Sequence, residues 1–203
     1  MYDVVRIDHF IGIVRYYAIP AEGVPVDGAF RKGPGEKLIK AIDEAIGDAK
    51  VIAEDLGVVV PGVRQLLKQS GYPGMKVLEF AFDGKRDNEY LPHNYERNCV
   101  VYSGTHDNET LLGYFDSLPE EGYEYLLDYT GLCISDKICS EFKEKLANAV
   151  IRLAYQSVAD TVILQMQDIL KKDNNARMNL PSTIGQNWRW RLKKGEFGEK
   201  EIK

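Results

Sequence analysis

The sequence has little cysteine, no long apolar run and no excess of positive charge. Its three cysteines, Cys99, Cys133 and Cys139, are widely spaced and form no Cys-x-x-Cys pair, so we predict neither a disulfide framework nor a zinc site. We expect reduced thiols that are buried or half-buried. No stretch approaches the ~18 uninterrupted apolar residues of a membrane helix, and the first residues lack the regions of a signal peptide. We therefore expect no membrane partner and a cytoplasmic location.

The charge balance disfavours a nucleic-acid partner. Lys and Arg number 26 against 31 Asp and Glu, and the net charge of −5 gives no general attraction to phosphate backbones. Hydrophobic residues make up 44% and charged residues 28% of the 203 residues, which is typical of folded globular proteins. Because no repeat or low-complexity tract interrupts the chain, we expect one continuous domain over residues 1–203.

Short β-branched runs alternate along the chain with stretches of helical periodicity. Apolar residues recur at helical spacing near 35–46, 61–71 and 137–157, and Gly71 is placed to end the second of these helices. Five runs have the length of strands: 4–8, 50–54, 75–80, 99–103 and 162–165. This order predicts an α/β fold with a parallel sheet, in which chemically active side chains gather at the carboxyl ends of the strands.

Three acidic residues stand at the ends of these predicted strands. Arg6 and Asp8 are two residues apart in an extended run, so the guanidinium can aim the carboxylate, although the pair could also be purely structural. Glu54 closes an apolar strand, a setting that suits a general acid; the alternative is a carboxylate held by backbone amides at a helix start. Asp107 follows the fourth strand, where either Asp107 or Asn108 could simply be a helix N-cap.

Taken together, these acids indicate carbohydrate chemistry. An α/β barrel with a carboxylate steadied by arginine, a carboxyl in an apolar setting and a third acid has the parts for retaining glycoside chemistry, in which nucleophile and acid/base lie ~5 Å apart. A metal site made from Asp8, His9, His93, His106 and Asp107 is the competing interpretation. We disfavour it because adjacent strand residues point to opposite faces, so Asp8 and His9 cannot readily serve one ion.

The same segments resemble the 4-α-glucanotransferases, the amylomaltases or disproportionating enzymes of glycoside hydrolase family 77. VRIDHF at 5–10, IAEDLG at 52–57 and SGTHDN at 103–108 are similar to the second, third and fourth signature regions of the wider α-amylase clan. Further segments resemble the narrower family: RYYAIP at 15–20, QDIL at 167–170, ARMNLP at 176–181 and NWRWR at 187–191. The ordered set is more specific than any one segment.

The resemblance implies a role for each matching residue. Asp8 is expected to attack the anomeric carbon, Glu54 to serve as acid and then base, and Asp107 to hold hydroxyls of the distorted sugar. The remaining matching positions are expected substrate contacts: Arg6, His9, His106 and Asn179. No metal and no cofactor is implied.

The implied activity is transfer of an α-1,4-glucan segment to the 4-hydroxyl of an acceptor, with glucans and maltooligosaccharides as partners. An α-amylase-clan hydrolase is an alternative. The chain begins on the strand with the expected nucleophile, so we expect the C-terminal portion of a (β/α)8 TIM-type barrel, about strands 4 to 8, with the N-terminal strands missing. An inactive or glucan-binding half-barrel is a further alternative. Such a half-barrel is expected to associate with its missing half or with itself through the exposed first strand.

Overall fold

The computed structural model describes residues 2–57, 60–133 and 139–198, and these form an α/β fold. The strands are Val4–Ile7 (β1), Arg15–Ala18 (β2), Ala29–Lys32 (β3), Lys50–Ala53 (β4), Gly74–Val77 (β5), Cys99–Tyr102 (β6) and Thr161–Ile163 (β7). The α-helices are Ile11–Val14 (α1), Glu36–Ile46 (α2), Pro61–Ser70 (α3), Leu111–Ser117 (α4), Glu120–Thr130 (α5), Ser140–Gln156 (α6) and Met166–Ile169 (α7). All five predicted strands are present, within a residue or a few of their expected ends.

The chain divides into two compact units, one ending at Met75 and the other beginning at Lys76. In the first unit β1 and β4 pair in parallel, with Ile7 opposite Ala53. The strands β2 and β3 form a separate antiparallel hairpin. Helices α2 and α3 occupy the predicted positions, and α3 begins with a proline and ends at Gly71 in the left-handed conformation (φ +70°). The buried apolar cluster of this unit is Phe10, Ile11, Ile13, Ile39, Ala53, Val63 and Leu66.

The second unit contains β6, β7 and the end of β5, residues 76–77, in a sheet of the order β5–β6–β7. Strand β6 is buried along its whole length, as its apolar sequence predicts for a central strand, and it pairs in parallel with β7. Helices α4, α5 and α6 pack together through a large apolar cluster that includes Val101, Leu126, Leu146 and Val150. The position of β6 is therefore fixed by a closely packed apolar core.

Several expectations need correction in detail. The strand predicted over 75–80 ends at Val77, because Leu78–Phe80 forms a 3₁₀ turn that buries a glutamate. Helix α6 begins at Ser140, and residues 137 and 138 of the predicted helix lie outside the described residues. Cys99 is buried as expected, but Cys133 and Cys139 are exposed, since they lie outside the packed strands and helices. Within the described ranges, every helix is too short or too polar to cross a membrane.

Candidate active site

Neighbouring strand ends carry Asp8 and Glu54. The two strands β1 and β4 run in parallel and in register, so these two residues leave the sheet at the same edge. Backbone hydrogen bonds continue beyond the strands: Glu54 N–H donates to the Ile7 carbonyl at 2.8 Å, and Phe10 N–H donates to the Glu54 carbonyl at 2.8 Å. Adjacent strands lie ~4.8 Å apart, so both acids rise from a fixed backbone at close spacing.

The Glu54 carboxylate is held by two backbone amides. His9 N–H donates to Oε2 at 2.6 Å and Leu56 N–H donates to Oε1 at 2.9 Å. His9 reaches this position with φ of +50°, which is uncommon for a residue with a side chain. The amides fit the alternative of a structural carboxylate, but its helix-start form is wrong because the next helix, α3, begins only at Pro61.

Asp8 is the most accessible acid of this group. Its side chain is 75% exposed, and Oδ1 lies 3.7 Å from Nη2 of the partly buried Arg6. The ion pair predicted from their spacing is thus present, and it leaves the carboxylate open to solvent. The His9 side chain beside it is exposed as well. All four expected residues of the first unit, including Glu54, therefore cluster at one strand edge.

Three expected residues of the second unit also lie together. Asn179 Nδ2 donates to Asp107 Oδ1 at 2.6 Å, and His106 Nε2 lies 3.3 Å from the same oxygen. Asn179 N–H donates to the His106 carbonyl at 3.0 Å, which ties the backbones as well. The convergence of Asp107 with the acids of the first unit stays a prediction.

Arg177 and Trp188 contact the turn formed by residues 103–108, which carries His106 and Asp107. Arg177 donates from Nη2 to the Asp107 carbonyl at 2.6 Å and from Nε to the Asn179 carbonyl at 2.9 Å. The Trp188 ring lies 4.9 Å from the His106 ring, tilted by 37°. Both belong to segments that resemble the family, but sequence spacing gave no signal for which side chain returns to the turn.

The turn itself is closed by an asparagine. Asn108 Oδ1 accepts hydrogen bonds from Thr105 N–H at 2.9 Å and Thr105 Oγ1 at 2.7 Å. The N-cap interpretation of Asp107 or Asn108 is wrong, because α4 starts later: Thr110 is the N-cap, and its hydroxyl accepts from Gly113 N–H at 3.2 Å. Asp107 is thus not occupied in capping a helix.

A pair of buried carboxyls below the turn was not anticipated. Asp168 is fully buried and accepts from Ser103 Oγ at 2.5 Å and Leu111 N–H at 2.8 Å. Glu79 is 8% exposed, and its burial together with the nearby Asp168 raises its pKa to about 9. Burial also raises the pKa of Asp168. The signal in the sequence was a glutamate inside an otherwise apolar run after β5.

His93, considered above as a metal ligand, is engaged elsewhere. Its ring nitrogens lie 2.8 Å from the Tyr129 hydroxyl and 3.0 Å from the Arg86 carbonyl. Its ring also stacks on Tyr129. It is therefore not grouped with His106 and Asp107 as the metal interpretation required.

The fold defines an α/β class with acids at the carboxyl ends of parallel strands, and sequence comparison defines the family. The chain belongs to the 4-alpha-glucanotransferase family, glycoside hydrolase family 77, whose model matches residues 1–196. It is 46% identical over 193 residues to the chloroplastic/amyloplastic 4-alpha-glucanotransferase DPE1 of Arabidopsis thaliana, covering 95% of this chain and 32% of that protein. It is 44% identical over 199 residues to the 4-alpha-glucanotransferase of Clostridium butyricum, covering 97% of this chain and 39% of that protein. The chain thus spans about a third of the length of these relatives.

Solved structures give the same assignment. The amylomaltase from Streptococcus agalactiae in complex with acarbose aligns with a TM-score of 0.88 and 38% identity, over 98% of this chain and 39% of that one. The amylomaltase from Corynebacterium glutamicum aligns with a TM-score of 0.71 over 92% of this chain and 31% of that one; at 19% identity this match supports the fold alone. The predicted α/β class, as part of a (β/α)8 TIM-type barrel, is confirmed.

Proposed function

We propose that this chain is the part of a 4-alpha-glucanotransferase that carries the reacting acids. The enzyme transfers a segment of an α-1,4-glucan to the 4-hydroxyl of an acceptor glucose or glucan. The observation that carries the proposal is the pair of acids on neighbouring strand ends, with Asp8 open to solvent and Glu54 fixed by two backbone N–H groups. Family membership supports the same reaction.

The reaction proceeds in two displacements. In the first, an Asp8 oxygen bonds to the anomeric carbon while Glu54 gives its proton to the departing glycosidic oxygen, and a glycosyl ester remains. In the second, Glu54 takes the proton of the acceptor 4-hydroxyl as that oxygen attacks the anomeric carbon and releases Asp8. Two inversions retain the anomeric configuration. The exposed Asp8 carboxylate can be approached by substrate, and two backbone N–H groups orient the Glu54 carboxyl on the neighbouring strand end.

The remaining expected residues bind the sugar. Asp107, with His106 and Asn179 at its carboxylate, provides acceptors and donors for hydroxyls of the distorted ring. Arg6 aims the nucleophile, and the exposed His9 side chain contacts substrate. Each of these groups is polar and partly open to solvent, as sugar recognition requires.

The substrates proposed are α-1,4-glucans and maltooligosaccharides; the Streptococcus agalactiae amylomaltase was solved with acarbose. We propose that residues 1–203 act as one partial catalytic domain, without a cofactor, a nucleic-acid partner or a membrane partner. Its partner is the remaining part of the barrel, or a second copy through β1, where Val4 and Val5 are 45% and 49% exposed. A cytoplasmic location completes the proposal, although the Arabidopsis relative is named for plastids.

Maltotriose separates transfer from hydrolysis. An enzyme containing this chain is expected to convert maltotriose to glucose and longer chains, whereas a hydrolase yields only shorter sugars. Asp8→Asn should abolish transfer because an amide cannot form the glycosyl ester. Glu54→Gln should keep some turnover of substrates whose leaving group needs no protonation.

Asp3→Asn is the matched control, since Asp3 is an exposed aspartate just before the same strand. It should transfer like the parent enzyme. Transfer by Asp8→Asn near the parent rate would refute the nucleophile assignment. Products no longer than maltotriose would favour the hydrolase.

A further inference from the structure

Glu79 has no part in the proposed chemistry, yet it is buried directly beneath the turn that carries Asp107. It lies in the 3₁₀ turn after β5, and its N–H donates to the Ser103 carbonyl at 3.2 Å. Its side chain is hydrogen-bonded to that of Asn108. Its Oε1 is buried without a hydrogen-bond partner among the described residues. Burying a polar oxygen without a partner is unfavourable, and more so when the group is charged.

A glycine of the turn, Gly104, packs closely against this carboxyl. A Cβ at Gly104 would come within 2.5 Å of Glu79 Oε1 and within 2.8 Å of Gln165 Nε2. The backbone of the turn therefore lies directly against the carboxyl group. A change in the charge or size of the Glu79 side chain therefore acts directly on the backbone of residues 103–108.

The charges facing Glu79 favour its protonated form. Asp168 lies beside it; burial raises the pKa of both carboxyls, but the Ser103 hydroxyl and the Leu111 amide stabilise the charged form of Asp168, which favours the proton of the pair on Glu79. Glu109 adds a second negative group, while Arg177 acts in the opposite direction. Arg177 is itself engaged with the Asp107 and Asn179 carbonyls. Two more titratable groups complete the surroundings, Tyr114 facing Glu79 and Lys171 facing Asp168.

A chain of hydrogen bonds leads from Glu79 to Asp107. Asn108 is bonded to Glu79 on one side and accepts from the Thr105 backbone and hydroxyl on the other. The Thr105 hydroxyl in turn accepts from Asp107 N–H at 3.3 Å. Each link fixes the orientation of the next, because the Asn108 amide has one oxygen end and one nitrogen end.

We propose that Glu79, carrying a proton, is a positioning residue that holds the turn bearing His106 and Asp107 through Asn108. This inference rests on the proposed function, in which Asp107 binds the reacting sugar. When Glu79 loses its proton, repulsion from Asp168 and Glu109 displaces the carboxylate and releases the turn. Glutamine at this position is neutral at every pH and keeps the turn in place.

The first measurement follows the turn itself. The backbone amides of His106 and Asp107 are observed by selective 15N labelling in the 203-residue chain from pH 6 to pH 10. In the parent both resonances should shift with a midpoint near pH 9, the value set by the buried Glu79, and Glu79→Gln should abolish that transition. The matched control Glu124→Gln, at an exposed glutamate of α5, should keep it.

The second measurement is transfer at pH 7 in an enzyme containing this chain. Glu79→Ala should lower kcat at least tenfold with KM within threefold, and Glu79→Gln should restore kcat to within threefold of the parent. A transition that persists in Glu79→Gln, a parent without the transition, or a glutamine variant as impaired as Glu79→Ala would each overturn the inference. If Glu79→Ala does not fold, the glutamine titration decides. A parent that shows the amide transition but no transfer would refute the proposed function and still support the coupling of Glu79 to the turn.

Discussion

Replacing Glu79 by glutamine should change how the stability of the protein depends on pH. The pKa of Glu79 rises from an ordinary 4.5 in the unfolded chain to about 9 in the folded one, chiefly because the group is buried and secondly because Asp168 lies beside it. Between these values the folded state holds a proton that the unfolded state has released. The contribution of Glu79 is therefore fully present below pH 4.5, is lost as the pH rises to 9, and changes no further above it.

The magnitude follows from proton linkage. One proton corresponds to about 1.4 kcal/mol per pH unit, so the parent should lose about 3 kcal/mol of unfolding free energy to this group between pH 6 and pH 8. Glutamine does not titrate and should lose none of it. Because a domain of this size has a total stability of roughly 5–15 kcal/mol, the difference is large. Asp168 titrates with Glu79 as a pair, so the slope can be shared between them.

Urea unfolding of the parent and of Glu79→Gln at each pH from 5 to 9 measures this difference directly. Subtracting the two curves cancels the titration of groups common to both proteins. The unfolding free energy of Glu79→Gln, relative to that of the parent, should increase steadily as the pH rises. The unfolding free energy of Glu124→Gln, changed at an exposed site, should differ from that of the parent by the same amount at every pH. A difference between parent and Glu79→Gln that stays constant within about 0.5 kcal/mol across the range would show that Glu79 ionises normally, and would refute the reasoning.

Three further predictions concern the backbone of His9, the helix N-cap Thr110 and the exposed strand β1. His9→Val should lower the unfolding free energy by about 1–2 kcal/mol more than His9→Gly, since a β-branched residue resists the φ of +50° that brings the amide to Glu54; thermal unfolding measures both. Thr110→Ala should lose about 1 kcal/mol in urea with its bond to Gly113, and Thr110→Ser should restore it. The 203-residue chain alone should transfer poorly between maltooligosaccharides and should self-associate through β1. Val5→Lys should reduce that association in sedimentation, and activity within about tenfold of the complete enzyme from a proven monomer would contradict this view.

The buried strands could be predicted from the sequence because burial on both faces requires continuous β-branched runs. Strand β6 is the clearest case. The hairpin β2–β3 was missed, since β3 is exposed at every position and carries no apolar alternation. Helix α5 was missed as well: its glycine and its many tyrosines and acids obscure the helical pattern, although Leu126 and Leu127 are buried.

The site was predictable where it depends on strand ends and unpredictable where it depends on distant contacts. The positions of Asp8 and Glu54 follow from parallel pairing of two recognisable strands. The supporting roles of Arg177 and Trp188 follow only from the folded path of the chain. Glu79 was overlooked because charged side chains are seldom buried, and its position inside an apolar run was read as part of a strand.

The hydrogen bonds that Arg177 and Asn179 make to Asp107 also bear on the order in which the protein folds. They span 70 and 72 residues, so closing them costs far more chain entropy than forming the helices that lie between. On the ribosome Asp107 leaves the exit tunnel well before its supports are synthesised. The turn that carries Asp107 therefore stays without these supports until residues 177–179 have also left the ribosome.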